Sequence, residues 1–325
     1  MASPRGPVRE IDAALARLAA GEPVAFPTET VYGLGARLDS ERGIARVYEL
    51  KARPRSHPLI AHLGAARELA DYTREAPPLA WLLAERYWPG PLTLILRRSA
   101  RVPDSVTGGQ DTVGVRVPAH PLALELIARA GVPLAAPSAN RFQQLSPTRA
   151  EHVRAAFGDE VCVLDGGASS GGIESTILDL SGAAPRLLRP GLVTREELEL
   201  VCGPLASADA SAPRASGSHP LHYAPRARVE LVDASAWRHA LEASRERAAA
   251  LVPHELAAEV PAALASSVTV LPADLAAAAR ALYAALHELD ARGYARIFVV
   301  LPPERALGAA IADRLRRAAG RGDAV

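Results

Sequence analysis

The chain has 325 residues, 49% hydrophobic and 22% charged, which is ample material for two packed cores and excludes a disordered chain. Lys plus Arg count 37 against 36 for Asp plus Glu, a net charge of +1 that excludes a polybasic nucleic-acid-coating protein. Two cysteines, Cys162 and Cys202, cannot build a disulfide framework or a four-thiolate zinc site, the first seven residues lack the apolar core of a signal peptide, and no apolar run reaches the roughly 18 residues of a membrane span. These features predict a soluble, cytoplasmic, two-domain protein with no membrane contact.

Val8, Ile11, Leu15 and Leu18 fall at helical spacing, with Gly21 as the stop. Val24-Ala-Phe26 reads as a short strand that runs into a polar stretch, 27–35. A helix follows from a Ser40 cap to Leu50, and Pro54 and Pro58 then forbid regular structure. Strands are predicted at 59–61, 92–96 and 113–117, and helices at 79–88 and from Pro121 to Gly131. A buried strand, 132–136, delivers Pro137-Ser-Ala-Asn140. Strands at 161–164, 176–180 and 186–189 continue the sheet, and Thr194 with Glu197 forms a capping box. From 203 to 225 the composition turns to Pro, Ser, Ala and Gly without periodicity, as in a linker. Beyond it, strands near 229, 249, 268 and 297 alternate with helices at about 237–247, 274–291 and 308–319, which predicts a small parallel α/β domain.

Four stretches, 27–35, 51–62, 137–148 and 165–176, end strands with polar residues and flexible backbone, the places where α/β sheets bind ligands. Within them lie the only lysine, Lys51, and the only asparagine, Asn140, of a chain with 36 arginines. Where arginine has replaced lysine almost everywhere, a retained Lys suggests a place for a compact ammonium and a retained Asn a place for an amide that donates and accepts, against a chance leftover on a solvated surface that either residue alone would favour. Lys51, Arg53 and Arg55 put three cations within five residues, suited to a triphosphate or to a solvated basic loop. The glycines of Asp165-Gly-Gly-Ala-Ser-Ser-Gly-Gly172 suit backbone amides wrapped around phosphate oxygens, or an ordinary hairpin loop. No Walker P-loop, dinucleotide fingerprint, hydrolase elbow or metal-ligand grouping of the nine histidines is present. Trp81, Trp88 and Phe142 are expected to pack in the core or in loops. The arginines between 305 and 321 are expected on a solvated helix face.

Read together, Phe26-Pro-Thr-Glu-Thr-Val-Tyr-Gly-Leu-Gly35, Lys51-x-Arg53, Trp88-Pro-Gly-Pro-Leu-Thr93, Val113-x-Val-Arg-Val-Pro118, Ala136-Pro-Ser-Ala-Asn140, Ser146-Pro-Thr148, Glu174-Ser-Thr176 and Leu188-Arg-Pro-Gly191 resemble the YrdC-like threonylcarbamoyl-AMP synthases. His222-Tyr-Ala-Pro225, Gly308-x-Ala-Ile311 and Arg314-Leu-x-Arg317 resemble the longer, two-domain members. The resemblance spans nearly the whole chain. It implies an N-terminal YrdC-like twisted open α/β sheet domain, 1–203, a linker or lid over the active site, 204–226, and a smaller Rossmann-like parallel α/β domain, 227–325.

The reaction the resemblance implies joins L-threonine, bicarbonate and ATP into L-threonylcarbamoyl-AMP and pyrophosphate, with Mg²⁺ brought by ATP and no dedicated protein metal site. The product serves modification of tRNA beside the anticodon, with a downstream threonylcarbamoyl transferase complex as possible partner and tRNA contact not required. Carried over by position, Thr30, His62, Arg116, Ser138 and Ser175 would hold threonine. Lys51, Arg53, His57, Thr112, Asn140, Ser146, Thr148, Arg189 and Tyr223 would hold ATP, with Lys51 and Arg53 offsetting phosphate charge during catalysis. The chain departs from the family pattern at His57, where Asn is more usual, and at 141–145, Arg-Phe-Gln-Gln-Leu. Two rival functions are a non-catalytic RNA-binding module of the same fold and a carbamoyl-adenylate-forming relative.

Overall fold

The computed structural model describes residues 7–206, 208–209, 211–217 and 222–320. Its larger sheet has nine strands: β1 (Val24–Phe26), β2 (Gly33–Arg37), β3 (Ile60–His62), β4 (Leu92–Arg97), β5 (Thr112–Arg116), β6 (Leu134–Ala136), β7 (Cys162–Val163), β8 (Thr176–Asp179) and β9 (Arg186–Arg189). Their order is β7-β1-β2-β6-β3-β5-β4-β8-β9, with parallel pairing at β1–β7, β3–β5 and β4–β8 and antiparallel pairing elsewhere. The strands are buried nearly throughout, and their side chains form the main apolar core with the helices packed on the sheet.

The helix signals lie where the sequence puts them. Helix Glu41–Lys51 starts at Ser40, whose Oγ accepts from the Gly43 N–H at 3.1 Å, and ends on Ala52 in the left-handed region at φ 53°. Helix Pro121–Ala130 opens on its proline and closes on Gly131 at φ 70°. Helix Arg195–Cys202 carries the full capping box of Thr194 and Glu197. Helix Ala150–Phe157 and the single turn Asp104–Thr107 carried no sequence expectation.

One expectation is corrected. The end of the stretch 27–35, read as flexible loop, is the start of strand β2, which pairs antiparallel with β1 through Phe26↔Gly33 and Val24↔Gly35. Gly33 and Gly35 serve close packing here: a Cβ on Gly35 would lie 2.6 Å from Cε1 of Phe26, and one on Gly33 would lie 3.0 Å from its Cζ. The ring of Phe26 occupies the space that side chains at 33 and 35 would fill, so two glycines that look like loop punctuation are part of the sheet.

The second sheet contains β10 (Arg228–Leu231), β11 (Ala248–Val252), β12 (Val268–Val270) and β13 (Arg296–Val299) in the order β10-β13-β11-β12. All its pairings are parallel. Its helix Leu275–Ala291 faces two ways. Leu282, Leu286 and Leu289 pack into its own domain, while Arg280, Tyr283 and His287 reach the first one. Contact is close: a Cβ on Gly172 would lie 2.3 Å from Cα of Arg280, and the rings of His152 and His287 stack with centroids 3.8 Å apart.

Candidate active site

Strands β3 and β5 run parallel in register, so His62 and Arg116 stand side by side at their ends. Beside them β6 runs out into Ser138, β8 begins just after Ser175, and β9 ends on Arg189. Thr30 comes from the β1–β2 connection, and Arg53 from the turn after helix Glu41–Lys51. These seven side chains, with Glu174, line one narrow cleft, and Ser216, Gly217, His222 and Tyr223 from the linker form part of its wall.

The Arg116 guanidinium is buried and anchored. Nε donates to Gly90 O at 3.1 Å, Nη1 to Thr30 Oγ1 at 3.0 Å and Nη2 to Glu29 Oε1 at 2.5 Å. Three of its five N–H groups are thereby engaged among the described residues, and two remain for a ligand carboxylate. Glu29 also accepts from the Ala119 N–H at 2.9 Å. Burial raises the Glu29 carboxyl, but the charge and hydrogen bonds of Arg116 and the Ala119 amide outweigh it, and the net shift is downward. Beside this pair His62 sits edge-on to Phe26 with centroids 5.7 Å apart. Burial, reinforced by the Arg116 charge, lowers its pKa to about 4, so its imidazole is neutral at pH 7.

On the opposite side Arg189 wraps the Ser175 backbone, with Nη2 donating to Ser175 O at 2.8 Å and to its Oγ at 3.2 Å, while Nη1 donates to Ser216 O at 3.0 Å. Ser175 Oγ lies 2.8 Å from Thr93 Oγ1. Arg53 donates through Nη2 to Pro58 O at 3.0 Å, and burial lowers its pKa to about 10, still charged at neutral pH. The cavity thus offers a carboxylate grip at one end and two arginines at the other.

Six expected site residues stand behind the wall or in crevices beside it. Lys51 is buried, and its ammonium donates to Ser138 O at 2.7 Å, Asn140 O at 2.5 Å and Asn140 Oδ1 at 3.3 Å. Burial, then the Arg53 charge, push its pKa well down. Asn140 accepts from Ser138 Oγ at 2.5 Å and donates to Arg141 O and Gln144 O, and it lines a separate groove of about 730 Å³. The retained lysine and asparagine therefore brace the loop that presents Ser138. His57 faces the edge of Phe142, and Thr112 lines a narrow crevice that shares Ser216 with the cavity. Ser146 donates to Glu174 Oε1 at 2.5 Å, and Thr148 is buried with its hydroxyl unpartnered among the described residues.

The chain matches the Sua5/YciO/YrdC family model, described as telomere recombination, over residues 16–191, and the model of the threonylcarbamoyl-AMP synthase C-terminal domain over 193–320. It is 41% identical to the threonylcarbamoyl-AMP synthase of Pyrococcus abyssi, covering 92% of this chain and 91% of that protein. The chain belongs to the threonylcarbamoyl-AMP synthase family. It is accordingly a nucleotidyltransferase-type enzyme of tRNA modification. The Bacillus subtilis threonylcarbamoyl-AMP synthase is 39% identical over 96% of this chain and 93% of its own. The crystal structure of P. abyssi Sua5 complexed with L-threonine superposes with a TM-score of 0.88 at 37% identity, covering 98% of this chain and 96% of that one.

Several details of the chain differ from the expectations. The 165–172 loop does not hold its amides open for phosphate. Gly166 donates to Tyr32 Oη, Gly167 to Asp165, Ser169 to Thr148 O and Gly171 to Glu29 O. Its glycines allow close approach to Pro27, Leu192 and Arg280 instead. Arg55 is exposed, so the three-cation cluster contributes one cation, Arg53, to the cavity wall. Trp81 is 38% exposed, whereas Trp88 packs in the core. Arg314 and Arg317, expected on a solvated face, are buried, because Glu174 and Asp313 supply counter-charges. Sequence reasoning assigned no role to Glu29, Thr93, Glu174 or His222, although each lies in one of the motif stretches.

Among the described residues no group of three His, Cys, Asp or Glu side chains could hold a metal ion. The two carboxylates nearest the cavity, Glu29 and Glu174, are already paired with Arg116 and Arg314. No described helix is long and apolar enough to cross a membrane.

Proposed function

We propose that the cavity joins L-threonine, bicarbonate and ATP into L-threonylcarbamoyl-AMP with release of pyrophosphate, for threonylcarbamoyladenosine modification of tRNA next to the anticodon. The observation that carries this reading is the meeting of Thr30, His62, Arg116, Ser138 and Ser175 with Arg53, Arg189 and Tyr223 around one cleft. The free N–H groups of Arg116 suit the threonine carboxylate, and Ser138 and Ser175 suit its polar groups. The neutral α-amine adds to the carbon of carbon dioxide and gives up a proton, or adds to bicarbonate with loss of water, and either route leaves a carbamate. A carbamate oxygen then attacks the α-phosphorus of ATP, and the bond to pyrophosphate breaks. No covalent intermediate with the enzyme is needed. Arg53 and Arg189 face the phosphates from the other end, and the lid residues Ser216, Gly217, His222 and Tyr223 keep water from a product that hydrolyses readily.

The residues present do not fit a resident metal, so Mg²⁺ is proposed only as the ion that ATP carries, bound to its phosphates. Lys51 and Asn140 act in this reading by holding Ser138, with His57, Thr112, Ser146 and Thr148 as supporting neighbours of the nucleotide. The enzyme works in the cytoplasm and hands its product to a threonylcarbamoyl transferase complex without requiring tRNA contact of its own. The test is pyrophosphate release by the purified chain. Release that needs threonine, bicarbonate and ATP together supports the reading, and release indifferent to threonine or bicarbonate contradicts it.

A further inference from the structure

The C-terminal domain sends two side chains to the edge of the cavity. Arg314, on helix Leu307–Ala318, has no exposed side-chain surface, and its Nε donates to Glu174 Oε2 at 2.7 Å. Tyr283, on helix Leu275–Ala291, donates to the same carboxylate at 3.1 Å. Glu174 is a cavity-wall residue, and its other oxygen accepts from Ser146 Oγ. The Arg314 guanidinium carbon lies 5.2 Å from the ring centroid of Tyr223, the linker residue that also lines the cleft. The Tyr283 ring lies 5.8 Å from the same ring, tilted by 42°. One helical turn on, Arg317 O accepts from the His222 N–H at 3.2 Å. Arg314 Nη2 and Tyr223 Oη are buried and have no partner among the described residues.

We infer that Arg314 is a positioning residue for synthesis, clamping the lid residue Tyr223 over the cavity while fixing the wall residue Glu174 from behind. This rests on the proposed function in one respect, that the linker closes over bound substrates. A purely structural tie between domains does not account for the arrangement. A buried arginine–glutamate pair gives little stability over a well-packed apolar pair, because desolvation cancels most of the attraction. What an apolar pair cannot supply is a planar cation facing an aromatic ring on one side and a directed hydrogen bond on the other. Tyr223 itself is held at φ 59°, a conformation tyrosine rarely adopts, which the surrounding contacts must enforce.

The discriminating variant is Arg314→Lys in the full chain, which keeps a charge for Glu174 and loses the flat guanidinium over Tyr223. Expected are a fall in kcat of about tenfold or more with the threonine KM within about twofold, and no further fall when the change is made in a Tyr223→Ala background. Trypsin cleavage of the linker at Arg214 or Arg226 should speed up several-fold, a readout independent of activity. Unchanged kcat and cleavage, or losses that multiply in the double variant, overturn the inference. If the wild-type chain releases no pyrophosphate, the proposed function falls alone, and the cleavage rates still decide the clamp: faster supports it, equal rejects it. Should Arg314→Lys fail to fold, the charge-free double variant Glu174→Gln with Arg314→Met takes its place in the cleavage assay with the same two outcomes.

Discussion

At the scale of single residues, charge in this site is compensated before any substrate arrives. Arg116 already holds Glu29, so a substrate carboxylate meets an arginine whose orientation is fixed and whose burial has been offset. Arg116→Lys retains the charge but loses the planar fork, and we expect the threonine KM to rise about 10- to 100-fold with a smaller effect on kcat, measured by initial rates. Lys51 presents a different case. Its ammonium satisfies two buried carbonyls, Ser138 O and Asn140 O, each worth about 1–3 kcal/mol if left without a donor. Lys51→Met should therefore lower the melting temperature as well as turnover, whereas a lysine that only touched phosphate would leave melting unchanged. The scarcity of lysine and asparagine pointed to the right loop without saying which way the side chains face. That direction depends on the carbonyls of Ser138 and Asn140, 87 and 89 residues away, which no local pattern encodes.

At the scale of elements, sequence signals that act over one turn were legible and those that act across the sheet were not. Ser40, Pro121 with Gly131, and Thr194 with Glu197 each fix a helix end by local hydrogen bonds or local backbone geometry, and all three appear as read. Strand β2 escaped because its glycines are explained only by the ring of Phe26 on the neighbouring strand. Gly35→Ala should cost about 1–3 kcal/mol through overpacking, visible as a lower midpoint in urea unfolding, since the added Cβ would meet Phe26 at 2.6 Å. The reverse lesson comes from the 165–172 loop, whose glycines suggested phosphate and instead allow close packing. The cavity residues were legible because they sit in long, ordered motifs. Their support was not, because Thr93, Tyr283 and Arg314 act from other strands or from the other domain.

For the whole molecule, the second domain is a working wall of the first. Gly172→Ala places a Cβ against the backbone of Arg280 at a left-handed position, so it should disturb docking of the two domains and reduce activity while each sheet persists by circular dichroism. Acid should act on the same interface. His152 stacks on His287 and accepts from the Thr148 N–H, and burial, then the charges of His287 and Arg149, lower its pKa from 6.5 to about 4. His62 is lowered to about 4 and His222 is also lowered well below its ordinary value. The unfolded chain binds protons that these folded imidazoles refuse, so their contribution is whole above about pH 6.5 and is lost as pH falls towards about 4. Thermal midpoints measured across that window should decline steadily, and His152→Phe should flatten the decline.

The central claim is that one cleft holds an amino acid beside a nucleoside triphosphate. A crystal of the chain grown with L-threonine and a non-hydrolysable ATP analogue tests it most directly. The account predicts threonine between Arg116, Ser138 and Ser175, with the α-phosphate lying between its amine and the arginines Arg53 and Arg189, under Tyr223. Threonine and nucleotide in separate places, or either one in the groove beside His152 and His287, would contradict it.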